Sequence, residues 1–286
     1  VHRVDLATEE MQLVQPAREQ ITEWVADRNG VIRAGFGFSG RRLRVIYRDK
    51  AEDDFRTLAS IKLEESDGEI DTVRIPVAGD KGYVVTNAQT GRFAVYEFDW
   101  KTSEVGKPVF EHPQVDIDDI SMTEDGATVE AVFFTDDRDR VVWFEPEMKE
   151  LQREIDESLV GRMNWVVSSS KDRTRFIVWT GTASDPGHYY YYNRPAERME
   201  RIATPYEALK DKKLAPVKFV SYLARDGLEI PAYLTLPVGR GTRNLPLVLM
   251  PHGGPHVRDS WAFDYWVQFL ANRGYVVLQP NFRGSS

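Results

Sequence analysis

The amino-acid sequence predicts two unlike parts: a partial β-propeller of about four blades over residues 1–205, then the opening of an α/β domain over residues 217–286, joined by a linker at 206–216. Three observations predict this. A turn followed by a β-rich run recurs around Gly40, Asp80, Asp125 and Asp172, in steps of 40, 45 and 47 residues. That grammar stops at Ala203–Pro216, a polar segment carrying two prolines. Beyond it a hairpin, an apolar strand, a glycine loop, a helix and a second apolar strand follow in order, as in a sheet with parallel neighbours.

The first unit holds Phe38–Tyr47, the second Val77–Thr86, the third Thr123–Phe134 and the fourth Ser169–Trp179. The last three continue into aromatic strand-like runs, Phe93–Trp100, Arg140–Phe144 and Tyr189–Asn193, then into a shorter strand at Val105–Phe110, Leu151–Ile155 and Met199–Ile202. Short strands joined by β-turns at a period of 40 to 50 residues are how propeller blades read. A β-sandwich is the alternative, since its strands are also short and frequent. The repeated order of turn, strand and aromatic strand favours the propeller. Val1–Val14 reads as strand, polar turn, strand, the outer half of a blade whose inner strands would lie upstream. About four blades is the lower limit for closure, so the chain is expected to begin inside a larger propeller.

Other features of this region point to structure rather than chemistry. Asp116, Asp118 and Asp119 lack the glycine and distal glutamate of a calcium loop and read as a solvated blade edge. Asp136–Arg140 reads as a charged hairpin turn, and Tyr189–Tyr192 as a strand that is half core and half surface. Gly37-Phe-Ser-Gly40 is no nucleophile elbow, because Arg41 stands where G-x-S-x-G needs glycine and no helix follows.

After the linker, Val217–Tyr222 and Leu228–Pro237 alternate on either side of Asp226-Gly227, which makes an antiparallel hairpin. A polar loop, Val238–Asn244, leads to Leu247–Met250, whose unbroken apolar run suits the buried centre of a parallel sheet. Pro251-His-Gly-Gly-Pro255 follows. Glycines directly after a strand let the chain turn sharply and leave amide N–H groups unobstructed, as an oxyanion hole requires. Asp259–Gly274 reads as a helix, capped by Asp259 or Ser260 and ended by Gly274 as the C′ residue. Its apolar stripe of Trp261 or Ala262, Tyr265 or Trp266, and Phe269 or Leu270 is expected to face the core. Tyr275–Gln279 gives another buried strand, and Asn281–Ser285 another loop.

Composition narrows the function. Of 286 residues, 42% are hydrophobic and 12% aromatic, ample for a packed core. A net charge of −8 argues against the basic face that nucleic-acid binding needs. The chain has no cysteine, so it has no disulfide, thiolate metal site or thiol nucleophile. No run approaches 18 continuous apolar residues, and no membrane partner is expected. The compartment, cytoplasmic or periplasmic, stays open.

His252-Gly-Gly-Pro255 together with Asn281-Phe-Arg-Gly-Ser285, preceded by the hairpin and the blades, resembles the prolyl oligopeptidase family of serine peptidases. The likeness is nearest to its acylaminoacyl-peptidase and dipeptidyl-peptidase-like branches. It implies that residues 217–286 are the N-terminal part of an α/β-hydrolase domain. It also implies Ser–Asp–His cleavage of peptide or acylated-peptide substrates in a chamber gated by the propeller. Carried over by position, Gly254 with Gly253 would supply oxyanion-hole N–H groups, and His252 would shape the loop without serving as the triad base. Arg283 would order the neighbouring loop or meet the substrate, and His256 takes no role. The resemblance implies neither cofactor nor metal, and a homo-oligomer is left open. In α/β-hydrolases all three triad residues follow these first strands, so the triad is expected beyond Ser286 and residues 1–286 alone are expected to be inactive. Two alternatives share the scaffold: a catalytically dead binding module and an esterase.

Overall fold

The computed structural model describes residues 1–286 apart from 28, 41, 63–69, 76–79, 124, 125, 211, 255, 256 and 286. The turn Val77–Gly79 and the marker Asp125 therefore lie outside the described residues, as do Pro255 and His256. Contacts divide the chain into two compact units, Val1–Phe134 with Val141–Phe144, and Thr135–Arg140 with Glu145–Ser286.

The first unit is antiparallel sheet. Strands β1 (His2–Val4) and β2 (Met11–Leu13) form a hairpin, as Val1–Val14 predicts. Strands β3 (Glu23–Ala26), β4 (Ile32–Ser39), β5 (Arg42–Tyr47) and β6 (Arg56–Lys62) form a four-stranded meander. A second meander holds β7 (Ile70–Arg74), β8 (Lys81–Thr86), β9 (Ala94–Asp99) and β10 (Glu104–Phe110). A third sheet has β11 (Ile117–Met122), β12 (Val129–Thr135) and β13 (Asp139–Trp143) among the described residues. Successive sheets bury apolar faces against each other. Ala34 and Tyr47 of the first meander meet Val84, Tyr96, Phe98 and Trp100 of the second, with the Tyr47 and Trp100 rings stacked at 5.4 Å. Val85 and Val95 meet Ile117, Val132 and Phe134 of the third sheet. Each such fully buried side chain stabilises the fold by about 1.5–3 kcal/mol.

Two acidic residues at the start of β11 make structural contacts. Asp116 accepts from the Phe93 N–H at 2.7 Å, and Asp119 pairs with Arg74 at 2.8 Å. No group of three or more His, Cys, Asp or Glu among the described residues is arranged to hold a metal ion.

The second unit opens with a departure from the sequence reading. Leu151–Ile155 is not a strand but part of helix α1 (Pro146–Ser158). Pro146 occupies the first turn, where its missing N–H costs nothing, and Met148, Leu151 and Ile155 form one buried helical face. Strands β14 (Met163–Ser169), β15 (Arg175–Thr182), β16 (Asp185–Asn193) and β17 (Arg198–Ala203) form the next meander. Tyr192 of β16 is buried while Tyr189–Tyr191 are partly covered, the mixed face that the tyrosine run predicts.

The last sheet is mixed. Strands β18 (Val217–Leu223) and β19 (Glu229–Thr235) form the predicted hairpin, with Gly227 at φ 84° in its turn. Strand β20 (Leu247–Leu249), helix α2 (Tyr265–Asn272) and strand β21 (Val276–Pro280) complete it in the spatial order β18-β19-β21-β20. The β20–β21 pair is parallel, with Val248 opposite Val277.

Three expectations fail here. The β20 run is an edge strand among the described residues, with Leu247 and Leu249 58% and 59% exposed rather than buried. Helix α2 begins five residues later than expected for an Asp259 cap. Asp264 is the cap instead, its Oδ1 accepting from the Trp266 and Val267 N–H groups at 2.7 and 3.0 Å. Gly274, at φ 96°, does follow the helix end. The buried face of α2 is Val267, Gln268 and Ala271, while Tyr265, Trp266 and Phe269 are exposed, the reverse of the predicted stripe.

Candidate oxyanion site

The site forms where parallel strands β20 and β21 release their chains side by side. Pairing runs one residue beyond β20, the Met250 N–H donating to Leu278 O at 2.9 Å. Pro251 has no N–H, so the ladder ends there, and the chain turns into His252, Gly253 and Gly254. Gly254 has φ 129°, a conformation that side chains rarely adopt, whereas a Cβ placed on Gly253 would meet nothing within 4 Å. Both glycines are exposed, and their amides reach no acceptor among the described residues. They are two donors at the end of a strand with no acceptor among the described residues.

His252 is held on three sides. Its ring stacks on Phe282, with centroids 4.4 Å apart and planes 15° from parallel. Nδ1 lies 2.7 Å from Gly253 O, and Nε2 lies 2.6 Å from Ser285 Oγ. A carbonyl only accepts, so the Nδ1 position carries the hydrogen, and Nε2 accepts from the Ser285 hydroxyl. Both ring nitrogens of His252 are thus taken up by neighbouring groups.

The far end of the glycine loop is fixed by the same neighbouring segment. The Asp259 N–H donates to Asn281 Oδ1 at 2.8 Å, and Asn281 Nδ2 donates back to Asp259 O at 3.0 Å. Asn281 is buried, and its own N–H donates to Pro231 O of β19 at 2.8 Å. Gln279 Nε2 donates to Asp259 Oδ1 at 3.2 Å. Burial pushes the Asp259 carboxyl above the usual carboxylate range, against the smaller opposing pull of His252. Beside it, Arg258 donates to Thr135 O and Asp136 O at 2.9 and 3.1 Å. Those carbonyls belong to the charged turn Asp136–Arg140, which is braced by Arg140 Nε on Asp136 at 2.8 Å. Tyr233 of β19 adds an O–H bond to Asp137 O at 2.8 Å.

Of the residues singled out from sequence, His252, Gly253 and Gly254 form one continuous element, and Arg283 stands apart from it. Arg283 is exposed and donates to the Asp226 carboxylate at the hairpin turn. The Leu228 N–H and then Arg283 hold that carboxyl below its ordinary range. Sequence reasoning quoted Asn281, Phe282 and Ser285 as a motif but missed what each touches. A histidine separated by 33 positions from a serine carries no local signal of contact.

No protein-family model matches the chain. Among curated proteins, it is 39% identical over 122 residues to dipeptidyl aminopeptidase BIII of Pseudoxanthomonas mexicana, a stretch covering 40% of this chain and 18% of that protein. It is 33% identical over 160 residues to dipeptidyl peptidase family member 6 of Caenorhabditis elegans, covering 49% of this chain and 22% of the other. The acylamino-acid-releasing enzyme of Sus scrofa shares 38% over 61 residues, 21% of this chain and 8% of its own length. The chain is similar to prolyl oligopeptidase-family peptidases. Solved structures of the family share its fold: a puromycin-hydrolysing peptidase of Mycobacterium tuberculosis superposes with a TM-score of 0.62 at 17% identity, over 99% of this chain and 44% of its own. Dipeptidyl peptidase 4 of Porphyromonas gingivalis gives 0.61 at 15% identity, over 100% of this chain and 42% of its own. These neighbours combine propeller and hydrolase domains. The chain spans less than half the length of the relatives it matches.

Proposed function

We propose that this chain is part of a serine peptidase that hydrolyses peptide bonds of oligopeptides or acylated peptides by a Ser–Asp–His mechanism. In this reading residues 1–205 are propeller, 206–216 linker and 217–286 the start of the α/β-hydrolase catalytic domain. Gly253 and Gly254 are its oxyanion loop. The single observation that carries the reading is the pair of exposed amides of Gly253 and Gly254 at the end of β20, which reach no acceptor among the described residues. Attack on a substrate carbonyl turns its oxygen into an oxyanion, and donors already aimed at that point need no reorganisation when the charge appears. His252 shapes the loop, Arg283 orders the adjoining hairpin turn, and no residue of 1–286 is given the nucleophile's or base's role.

The test is a pair of substitutions at one position of the peptidase. Gly253→Ala adds a Cβ into open space and is expected to leave turnover of a peptide p-nitroanilide within about twofold of the parent, because a solvent-facing methyl removes no donor. Gly253→Pro deletes the N–H and is expected to lower kcat by about 10²–10³ with little change in KM. Equal activity of the two variants would refute the oxyanion role. A panel of peptide anilides, acyl-amino anilides and nitrophenyl esters then separates peptidase from esterase, and full inactivity against all of them leaves the binding module.

A further inference from the structure

The glycine pair cannot hold its own aim. Glycine loses more conformational freedom on ordering than any other residue, and neither amide is tied to an acceptor among the described residues. Whatever points these N–H groups must act from the flanks, and both flanks are held by the five residues that follow β21. At the near flank Phe282 lies against the face of the His252 ring, 4.4 Å between centroids, and Ser285 donates to its edge at 2.6 Å. At the far flank Asn281 makes its reciprocal pair with the Asp259 backbone. The segment that does this is itself anchored, by Asn281 N–H on Pro231 O, by Arg283 on Asp226, and by the Ser285 N–H on Phe282 O at 2.9 Å.

We propose that Ser285 and Phe282 are positioning residues that clamp His252 from edge and face, and so hold the Gly253–Gly254 amides in the orientation that receives an oxyanion. The proposal rests on the oxyanion reading of those glycines and adds to it the identity of the part that keeps them in place. Ser285 touches no reacting atom in this role. Its hydroxyl proton is spent on His252 Nε2, whose partner nitrogen is committed to Gly253 O, so the ring is locked in one tautomer and one orientation.

Ser285→Ala and Phe282→Leu, made separately in the whole peptidase, are each expected to lower kcat about tenfold with KM within about twofold, because misaimed donors weaken only the transition state. Affinity for a peptide boronate, which forms a tetrahedral adduct, should fall by the same factor as kcat, while affinity for a cleaved peptide product stays level. Ser285→Thr, which keeps the hydroxyl, should restore most of the loss. In the 286-residue chain, Ser285→Ala should lower the backbone amide NMR order parameters of Gly253 and Gly254 and leave those of the β18–β19 hairpin unchanged. Unchanged kcat and boronate affinity in both variants, with Gly253→Pro inactive, overturns the clamp and leaves the oxyanion role standing. An active Gly253→Pro removes the oxyanion reading and the clamp with it. A covalent fluorophosphonate adduct mapped to Ser285 also overturns the proposal, since it would make that hydroxyl a nucleophile rather than a brace.

Discussion

Asp259 shows how a residue suited to one task is taken for another. Aspartate just before an apolar run is a helix-cap signal, and both Asp259 and Asp264 carry it. Local pattern cannot choose between them, and the choice is made at long range: Asn281 claims the Asp259 backbone, and the helix starts after Asp264. The outcome leaves a half-buried carboxylate with one oxygen on Gln279 and the other, Oδ2, without a partner among the described residues. Burial raises its affinity for a proton. A carboxyl that binds its proton more tightly folded than unfolded stabilises the fold at low pH. That stability declines as pH rises from the unfolded value of about 3.9 through the raised folded one. Asp259→Asn retains an oxygen for Gln279 and cannot ionise. It is therefore expected to melt at a higher temperature than the parent at pH 7.5, the advantage vanishing near pH 3.5. An advantage of equal size at both pH values would refute the assignment, and thermal melts followed by circular dichroism measure it. The glycine donors were legible at this scale because Gly-Gly after an apolar strand is itself a backbone statement. The hold on His252 was not, since stacking and an edge-on hydroxyl come from a separate loop.

At the scale of elements, strands were read well where alternation and turn chemistry agreed. The β18–β19 hairpin satisfies both, with alternation on each side of Asp226-Gly227. Helix α1 was lost because the repeat grammar demanded a strand at Leu151–Ile155. The local evidence favoured a helix: Pro146 at the start, good helix formers throughout, and apolar residues at 148, 151 and 155. Leu151 is fully buried on that helix, so Leu151→Ala is expected to destabilise its unit by about 2–5 kcal/mol. Glu150, exposed and paired with Arg153 on the opposite surface, should leave the unfolding midpoint nearly unchanged when replaced by Ala. Urea denaturation of both variants tests this, and similar midpoints for the two would contradict the helical face. The face of α2 was misread for a different reason. Its centre is polar: Gln268 is buried, accepting from Ala215 N–H at 2.8 Å and donating to Ala215 O and Ala183 O at 2.9 and 3.1 Å. Three bonds satisfy that side chain, and turning it inward sends Tyr265, Trp266 and Phe269 outward.

For the molecule as a whole, the consequence is an apolar surface on an acidic chain. Leu247 and Leu249 alternate along β20 with their side chains on one face, at 58% and 59% exposure on an edge with no further strand among the described residues. Tyr265, Trp266 and Phe269 are 56%, 54% and 45% exposed on α2. Beside them lies a cleft of about 730 Å³ lined by Leu209, Leu214, Phe263, Trp266 and Phe269 among others. Unblocked apolar edges pair with other chains, which natural sheets prevent with charge, bulges or cover. The net charge of −8 opposes that pairing, and the opposition is screened over about 10 Å at 0.1 M salt and about 3 Å at 1 M. The 286-residue chain is therefore expected to associate with itself as concentration rises, and more strongly at 0.5 M than at 0.05 M salt. Replacing Leu247 and Leu249 together with lysine puts charge on the edge. It should return the chain to a monomer with little change in melting temperature, because neither side chain is buried in the fold. Sedimentation velocity over a range of protein concentrations decides it. A wild-type chain that stays monomeric in high salt would refute the edge as an association surface, and association that weakens with salt would assign it to charge instead.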